Sequence, residues 1–318
     1  MVQYIFRRLL QGIPTLLFLT IIAFTFISLA PGDVVDAMFT EESDLLPEEL
    51  AAQREELGLN DPIPIQYVNW LGEVVQGNLG QSFLRRQPVA DLISARIGTT
   101  LLLGSLSLLT ATVVGVSAGL ISGFKHYSWI DYIISILSYG AYSFPNFFFG
   151  LIAIYIFSVT LGWLPSSGTY TPGEERSHWD TIKHLILPVT VLSTQFIGIF
   201  ARQTRSAILE ILNQDYVRTA YGKGLHTQRV RFRHILPNAL IPVITIIGLS
   251  LPLLITGAVV TEIVFSWTGI GQLTVNSIFG RDYPVIMGIV LMIGVVVTFA
   301  NILIDMSYAI VDPRIRYK

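Results

Sequence analysis

Six long runs of this chain contain no Asp, Glu, Lys or Arg: Leu9–Gly32, Ile97–Phe124, Tyr132–Gly173, His184–Ala201, Asn238–Thr261 and Tyr283–Ile304. A helix that crosses a bilayer needs about 20 predominantly apolar residues, because the hydrocarbon core is about 30 Å thick. Every backbone polar group in that core must be satisfied within the protein, which favours helices. Charged residues make up 13% of the chain, against about 25% in soluble domains. The clustering of the deficit decides the class. The chain reads as an all-α integral membrane protein with six transmembrane helices, the third occupying roughly Ile133–Leu161. The fourth, around His184–Ala201, is the shortest window.

Arg7 and Arg8 precede an apolar stretch, Leu9–Leu29, that is longer than the usual 7–15-residue core of a cleaved signal peptide, so it is read as an uncleaved first helix. Lys and Arg concentrate on the cytoplasmic side of membrane proteins. With the N-terminus in the cytoplasm, only Arg54, Arg85, Arg86, Arg96, Arg176, Lys183 and Arg281 of the 20 basic residues fall outside. Both termini are therefore expected inside. The absence of cysteine removes disulfides, thiolate nucleophiles and thiolate metal sites.

Three stretches follow along the chain: residues 1–32 as N-terminus and first helix, 33–96 as an extracytoplasmic insertion, and 97–318 as the membrane core. In the insertion, Pro47 with Glu48 and Glu49 opens a short helix that Gly58 closes. Pro64 opens a second, with Tyr67, Trp70, Leu71 and Val74 on one face and Gly77 at its end. Pro88 opens a third, heading toward the membrane. The apolar face of the second is expected to pack on the protein's own outer loops rather than on a partner. Trp129, Trp163, Trp179 and Trp267 fit interfacial anchors. Gly115, Gly119 and Gly123 recur at four-residue spacing in the second span, which suits close helix packing. Pro145 and Pro188 predict kinks in the third and fourth spans.

Few constellations carry chemistry. Gly115-Val-Ser-Ala-Gly119 matches the G-x-S-x-G nucleophile pattern, but it lies mid-span without the strand-to-helix turn or the His partner that pattern needs. There is no G-x-x-x-x-G-K-[ST] loop to cradle a nucleotide and no H-E-x-x-H zinc motif. Asp131, Glu262 and Asp305 are the ionisable residues within or beside spans, all near predicted ends where polar surroundings are in reach. Ion-coupled carriers usually place such groups near the midplane. No catalytic residue and no metal site is assigned, and nucleic acid is a poor partner for a loop tethered at both ends to membrane helices.

The most distinctive stretch is the basic loop at about 202–237. Within it, Arg218-Thr219-Ala220 is followed four residues later by Gly224, and Leu236-Pro237 precedes the return of apolar sequence. This spacing resembles the EAA signature, EAA-x3-G-x9-I-x-L-P, of permease subunits in ATP-binding-cassette (ABC) importers. Further segments are similar to the dipeptide/oligopeptide branch of that family. They include Leu57–Pro62, Gly77-Asn-Leu-Gly80, Leu161–Pro165, Glu262-Ile-Val-Phe-Ser-Trp267, Arg281-Asp-Tyr-Pro284 and Asp312–Tyr317. The likeness covers nearly the whole chain, and the long first outer segment resembles the first permease of a pair. Departures are Arg218 and Thr219 for the Glu and first Ala of the general motif, His234 for Ile, and Thr268 where proline is common.

The resemblance implies a non-enzymatic subunit in a prokaryotic cell membrane, importing di- or oligopeptides, with nickel chelates or oligosaccharides as alternative cargo. Its implied partners are a second homologous permease, two ATPases that use ATP and Mg, an extracytoplasmic binding protein and the lipid bilayer. This chain itself is expected to bind no cofactor. The loop residues Asp215, Arg218, Thr219, Ala220, Tyr221, Gly222, Lys223, Gly224, Leu225, Leu236 and Pro237 are implied to dock the ATPase. Small residues there allow close backbone approach, Tyr221 and Leu225 offer apolar anchors, and no substrate-binding residue is assigned. A self-sufficient secondary carrier or channel is the competing class, although no inverted repeat is evident.

Overall fold

The computed structural model describes residues 2–38, 47–173 and 177–311, with side chains placed for 6–38, 48–173, 177–250 and 258–302. The described elements are helical. They are α1 (Val2–Leu29), α2 (Val34–Met38), α3 (Pro47–Glu56), α4 (Ile63–Val75), α5 (Val89–Phe124), α6 (Trp129–Ser143) and α7 (Asn146–Ala153). Then come α8 (His178–Leu212), α9 (Asp215–Gly222), α10 (Thr227–Val230), α11 (Leu236–Val264), α12 (Ile270–Phe279) and α13 (Tyr283–Val311). π-Helical turns extend α7 through Ile154–Thr160 and join α10 to α11 through Arg231–Ile235. Among the described residues, five helices are long and apolar enough to cross a membrane, and a sixth span results if α6 and the α7 segment, bent by 103°, count as one. The ending Asp312–Tyr317 lies outside the described residues.

One compact unit draws on Met1–Gly98 and Gly269–Ile302. The expected short helices form here: α3 begins at Pro47, and Gly58 and Gly77 supply the left-handed conformations (φ +68° and +85°) that follow α3 and α4. The apolar face of α4 covers α1 rather than other loops. Tyr67 lies edge-on to Phe24 at 5.5 Å and its hydroxyl is 3.1 Å from that of Thr20. Arg281-Asp-Tyr-Pro284 ties the start of α13 to the 33–96 stretch. The buried Asp282 carboxylate accepts from the Ser82 hydroxyl (2.5 Å) and the Phe83 amide (3.0 Å), and the Tyr283 hydroxyl donates to the Gly32 carbonyl (3.1 Å). Gly32 has no room for a side chain, since a Cβ there would lie 1.6 Å from the Arg281 guanidinium. Val89, Leu92, Ile93, Ile270, Leu273, Val285 and Ile289 form the apolar core.

The second unit draws on Thr99–Thr268. Its strut is α8: 61% of its apolar window is enclosed by protein, against 17% for α1. The shortest charge-free run thus belongs to a 35-residue helix whose polar ends lengthen it beyond the apolar window. The glycine face of α5 packs on α8. A Cβ on Gly115, Gly119 or Gly123 would come within 2.5–2.9 Å of atoms of Ile197, Phe200, Ala201, Thr204 or Ile208. Glu262 to Trp267 forms a second knot. The backbone reverses through Ser266 at φ 47°, the Trp267 amide returns to the Glu262 carbonyl (2.8 Å), and its indole donates to the Thr99 carbonyl (3.2 Å).

Several expectations change. The helix opened by Pro88 does not stop at the membrane but continues as α5 through Phe124. The Trp267 side chain is buried and cannot be an interfacial anchor, whereas Trp129, Trp163 and Trp179 are exposed. At Pro145 the helix breaks between α6 and α7 rather than kinking. Phe144 is extended (ψ 134°), the conformation that a following proline enforces, and the chain turns by 103°. Pro188, by contrast, sits inside an unbroken α8. After Gly269 the chain forms a further helix, α12 (Ile270–Phe279).

Candidate functional site

The basic loop folds as a short helix, α9, laid against the ends of longer ones. Val217 and Ala220, three residues apart, turn inward and pack with Ala207, Ile208, Val230, Ile235 and Ala239, while Leu225 is half-buried on the same cluster. The opposite face is exposed. Asp215, Arg218, Thr219, Tyr221, Gly222 and Lys223 all lie on it, and the Asp215 and Arg218 side chains are 99% and 73% exposed. Their mutual contact at 3.9 Å is a solvent-screened i,i+3 pair, worth at most about 1 kcal/mol. The small residues of the loop therefore divide between two tasks: Ala220 serves this chain's own packing, and Gly222 lies in open space.

The four-residue spacing from Ala220 to Gly224 has a structural cause. Gly224 adopts φ +74°, its amide donates to the Tyr221 carbonyl (2.9 Å), and the Leu225 amide donates to the Ala220 carbonyl (3.4 Å). These are the two bonds of a Schellman ending, in which a left-handed residue closes the helix and an apolar contact spans the turn. Ala220 and Leu225 make that contact. The motif glycine thus ends α9 and returns the chain to its own bundle, and the space around its Cα is open.

Leu236 and Pro237 open α11, where the missing prolyl N–H costs nothing; Leu236 is half-buried and Pro237 exposed. The chain from Thr227 through the π turn into α11 stays in right-handed helical conformation, with Arg231 at φ −58° and Leu236 at φ −55°. Arg231 does not point to solvent: its guanidinium lies 5.0 Å from the centre of the Phe124 ring. Partial burial pushes the Tyr216 phenol above its usual range, against a hydrogen bond with Asn238 that acts the other way. That bond ties α9 to the first turn of α11.

Two of the ionisable residues within or beside spans, Asp131 and Glu262, are enclosed by protein. Asp131 is buried and accepts from Arg205 Nε (2.7 Å) and Nη2 (2.8 Å), from the Tyr127 amide (2.9 Å) and from the Ser122 hydroxyl. Glu262 is buried and accepts from the Thr100 hydroxyl at 2.7 Å. Proximity to helix ends puts polar surroundings in reach, and for Asp131 and Glu262 these are side chains and backbone. The side chain of Asp305 lies outside the described residues. Nothing in the sequence links Asp131 to Arg205, 74 positions later, and their pairing emerges only from the antiparallel packing of α6 on α8.

Comparison with known proteins matches residues 115–317 to the family model "Binding-protein-dependent transport system inner membrane component" and residues 1–104 to the N-terminal model of the same family. The oligopeptide transport system permease protein AppB of Bacillus subtilis is 47% identical over the full length of both chains. A putative peptide permease of Brucella suis is 46% identical over 99% of each. The dipeptide transport system permease DppB of Escherichia coli K12 is 37% identical, again over the full length of both. Among solved structures, the inward-facing MetNI methionine ABC transporter matches with a TM-score of 0.57 at 17% identity, covering 70% of this chain and 96% of that one.

Proposed function

The chain belongs to the family of binding-protein-dependent transport system inner membrane components, and on that premise we propose that it is the first of two permeases in an ATP-driven importer of di- or oligopeptides. The family is one of membrane subunits without catalytic activity of their own. AppB and DppB, similar along their whole length, support peptides as the cargo class. In this reading α6 and the α7 segment together make the third of six spans, both termini are cytoplasmic, and 33–96 is extracytoplasmic. The energy comes from two partner ATPases using ATP and Mg. The substrate arrives on an extracytoplasmic binding protein and passes between this chain and a homologous permease, opened alternately as the ATPases close and separate.

The observation that carries the coupling role is the two-sidedness of α9. One face is fixed in this chain's bundle by Val217, Ala220 and Leu225; the other presents Asp215, Arg218, Thr219, Tyr221 and Lys223 with nothing over them among the described residues. A helix fixed on one side and free on the other can be gripped without being peeled away. The test is reconstitution of both permeases, the ATPases and the binding protein in proteoliposomes. Uptake should require ATP and every subunit. Tyr221→Glu should lower uptake at least about tenfold, as removal of an aromatic anchor does at a docking centre, and should reduce ATPase co-purification while membrane insertion is retained. Concentrative uptake by this chain alone, or normal uptake by the variant, would defeat the assignment.

The orientation has its own test, and the chain brings no cysteine background. Asn60 and Thr227 are both exposed. In intact cells Asn60→Cys should react with an impermeant thiol reagent and Thr227→Cys only after the membrane is opened. The opposite pattern would invert the topology and remove α9 from the cytoplasm.

A further inference from the structure

Two arginines stand one turn apart near the end of α8, and they are treated differently. Arg205 is paired with Asp131 through Nε and Nη2. Arg202 has no anionic partner among the described residues. Its guanidinium carbon lies 5.2 Å from the ring centre of Tyr139 and 4.8 Å from that of Tyr142, and its Nε is buried without a hydrogen-bond partner. Arginine stacks well on aromatic faces, and such stacking leaves the N–H edge for hydrogen bonds.

The direction of the side chain matters. α6 and α8 run antiparallel: Asp131 pairs with Arg205, while a Cβ on Gly198 would lie 2.6 Å from the Ser138 carbonyl and 3.5 Å from the Tyr142 amide. Tyr139 and Tyr142 stand about 12 and 16 Å along α6 from Asp131. Side chains on a helix lean toward its N-terminus, so Arg202 leans toward Gly198, away from the loop end where the Asp131–Arg205 pair sits. It reaches into the layer formed by the charge-free runs 132–173 and 184–201. A cation seeking headgroups beyond the loop end would lean the other way. An unpaired cation in such a layer is costly and marks function more often than packing. Tyr139 and Tyr142 are 58% and 49% exposed, so the station opens outward from this chain.

We propose that Arg202, framed by Tyr139 and Tyr142, is a substrate-contacting residue of the translocation pathway that binds a carboxylate of the passing peptide. A planar guanidinium can meet a carboxylate with two parallel hydrogen bonds, and two aromatic walls suit the apolar flank of a short peptide. A bond of this class contributes enough to be read as a rate without trapping the cargo.

This inference rests on the peptide-importer reading, and the test separates the two. The full complex, with binding protein saturated by either a tripeptide or its C-terminal amide as fixed by titration, is reconstituted with Arg202, Arg202→Lys or Arg202→Gln. Wild type should carry the free acid faster than the amide. Arg202→Gln should lower uptake of the acid by about tenfold or more and leave the amide unchanged, and Arg202→Lys should restore part of the difference. Equal effects on both peptides, or none, would overturn the proposal. So would loss of the second permease on purification of Arg202→Gln, which would make Arg202 an interface residue. An effect seen only with anionic lipid would assign it to headgroups and likewise overturn it. Absence of peptide uptake by the wild-type complex would remove the premise, and this inference with it.

Discussion

Gly119→Leu is expected to leave little folded protein. A Cβ at that position would lie 2.5 Å from the Ala201 carbonyl oxygen and 2.5 Å from Thr204 Cβ, separations that no rotamer change relieves, because one of the obstacles is backbone. The two helices must part, and with them the packing of Phe200 and Ile208, both fully buried. Overpacking of an ordinary core costs about 1–3 kcal/mol; a rigid contact between helix backbones should exceed that range. Thermal unfolding in detergent measures it. Gly98→Ala in the same helix is the control: nothing lies within 4 Å of the added atom, and alanine is the better helix former by about 1 kcal/mol. It should be neutral or stabilising. A wild-type midpoint for Gly119→Leu would contradict the close α5–α8 packing.

The second large effect concerns Asp131. Its side chain is 2% exposed and that of Arg205 29%. Removing one member of a buried ion pair leaves the other without compensation and costs about 3–5 kcal/mol. Asp131→Ala should fall near the lower figure, because Arg205 can still turn partly toward water. Replacing both residues by leucine should recover most of the loss, since the desolvation of both charges is then avoided. A double-mutant cycle followed by thermal unfolding gives the coupling directly. Additive losses would mean that the two groups do not stabilise one another.

The membrane class and the helical punctuation of the 33–96 stretch were legible because they depend on local rules: length of charge-free sequence, prolines at helix starts, glycines after helix ends. The glycine stripe on α5 was legible for the same reason. The partner of each charge was not. Asp131 and Glu262 could be placed near helix ends, but Arg205 and Thr100, which bond to them, come from distant sequence. Trp267 fails as an anchor on similar grounds, since an aromatic near a span boundary has no local feature that separates an interfacial ring from one turned inward. The break at Pro145 was visible as a proline, though not its size.

The loop is the most instructive case. Its spacing identified the family, yet the physical reason offered for Ala220 and Gly224, close approach by a partner, was incomplete. Ala220 is filled by its own bundle, and Gly224 is the left-handed residue that ends α9. The Val217–Ala220 interval could have shown this, because residues three apart on one helix face share a fate. What remains for a partner is the other face.

The unbroken helical conformation from Thr227 to Val264 has a mechanical consequence. At the α-helical rise this column is about 55 Å long, well beyond the roughly 30 Å of hydrocarbon it crosses. Moving as one body, a column of that length would amplify: a tilt of about 10° about one end would carry the other by roughly 10 Å, the width of a helix. On the proposed function, a modest rotation imposed at Thr227 would then be large enough, at the far end of α11, to open or shut a passage for a short peptide.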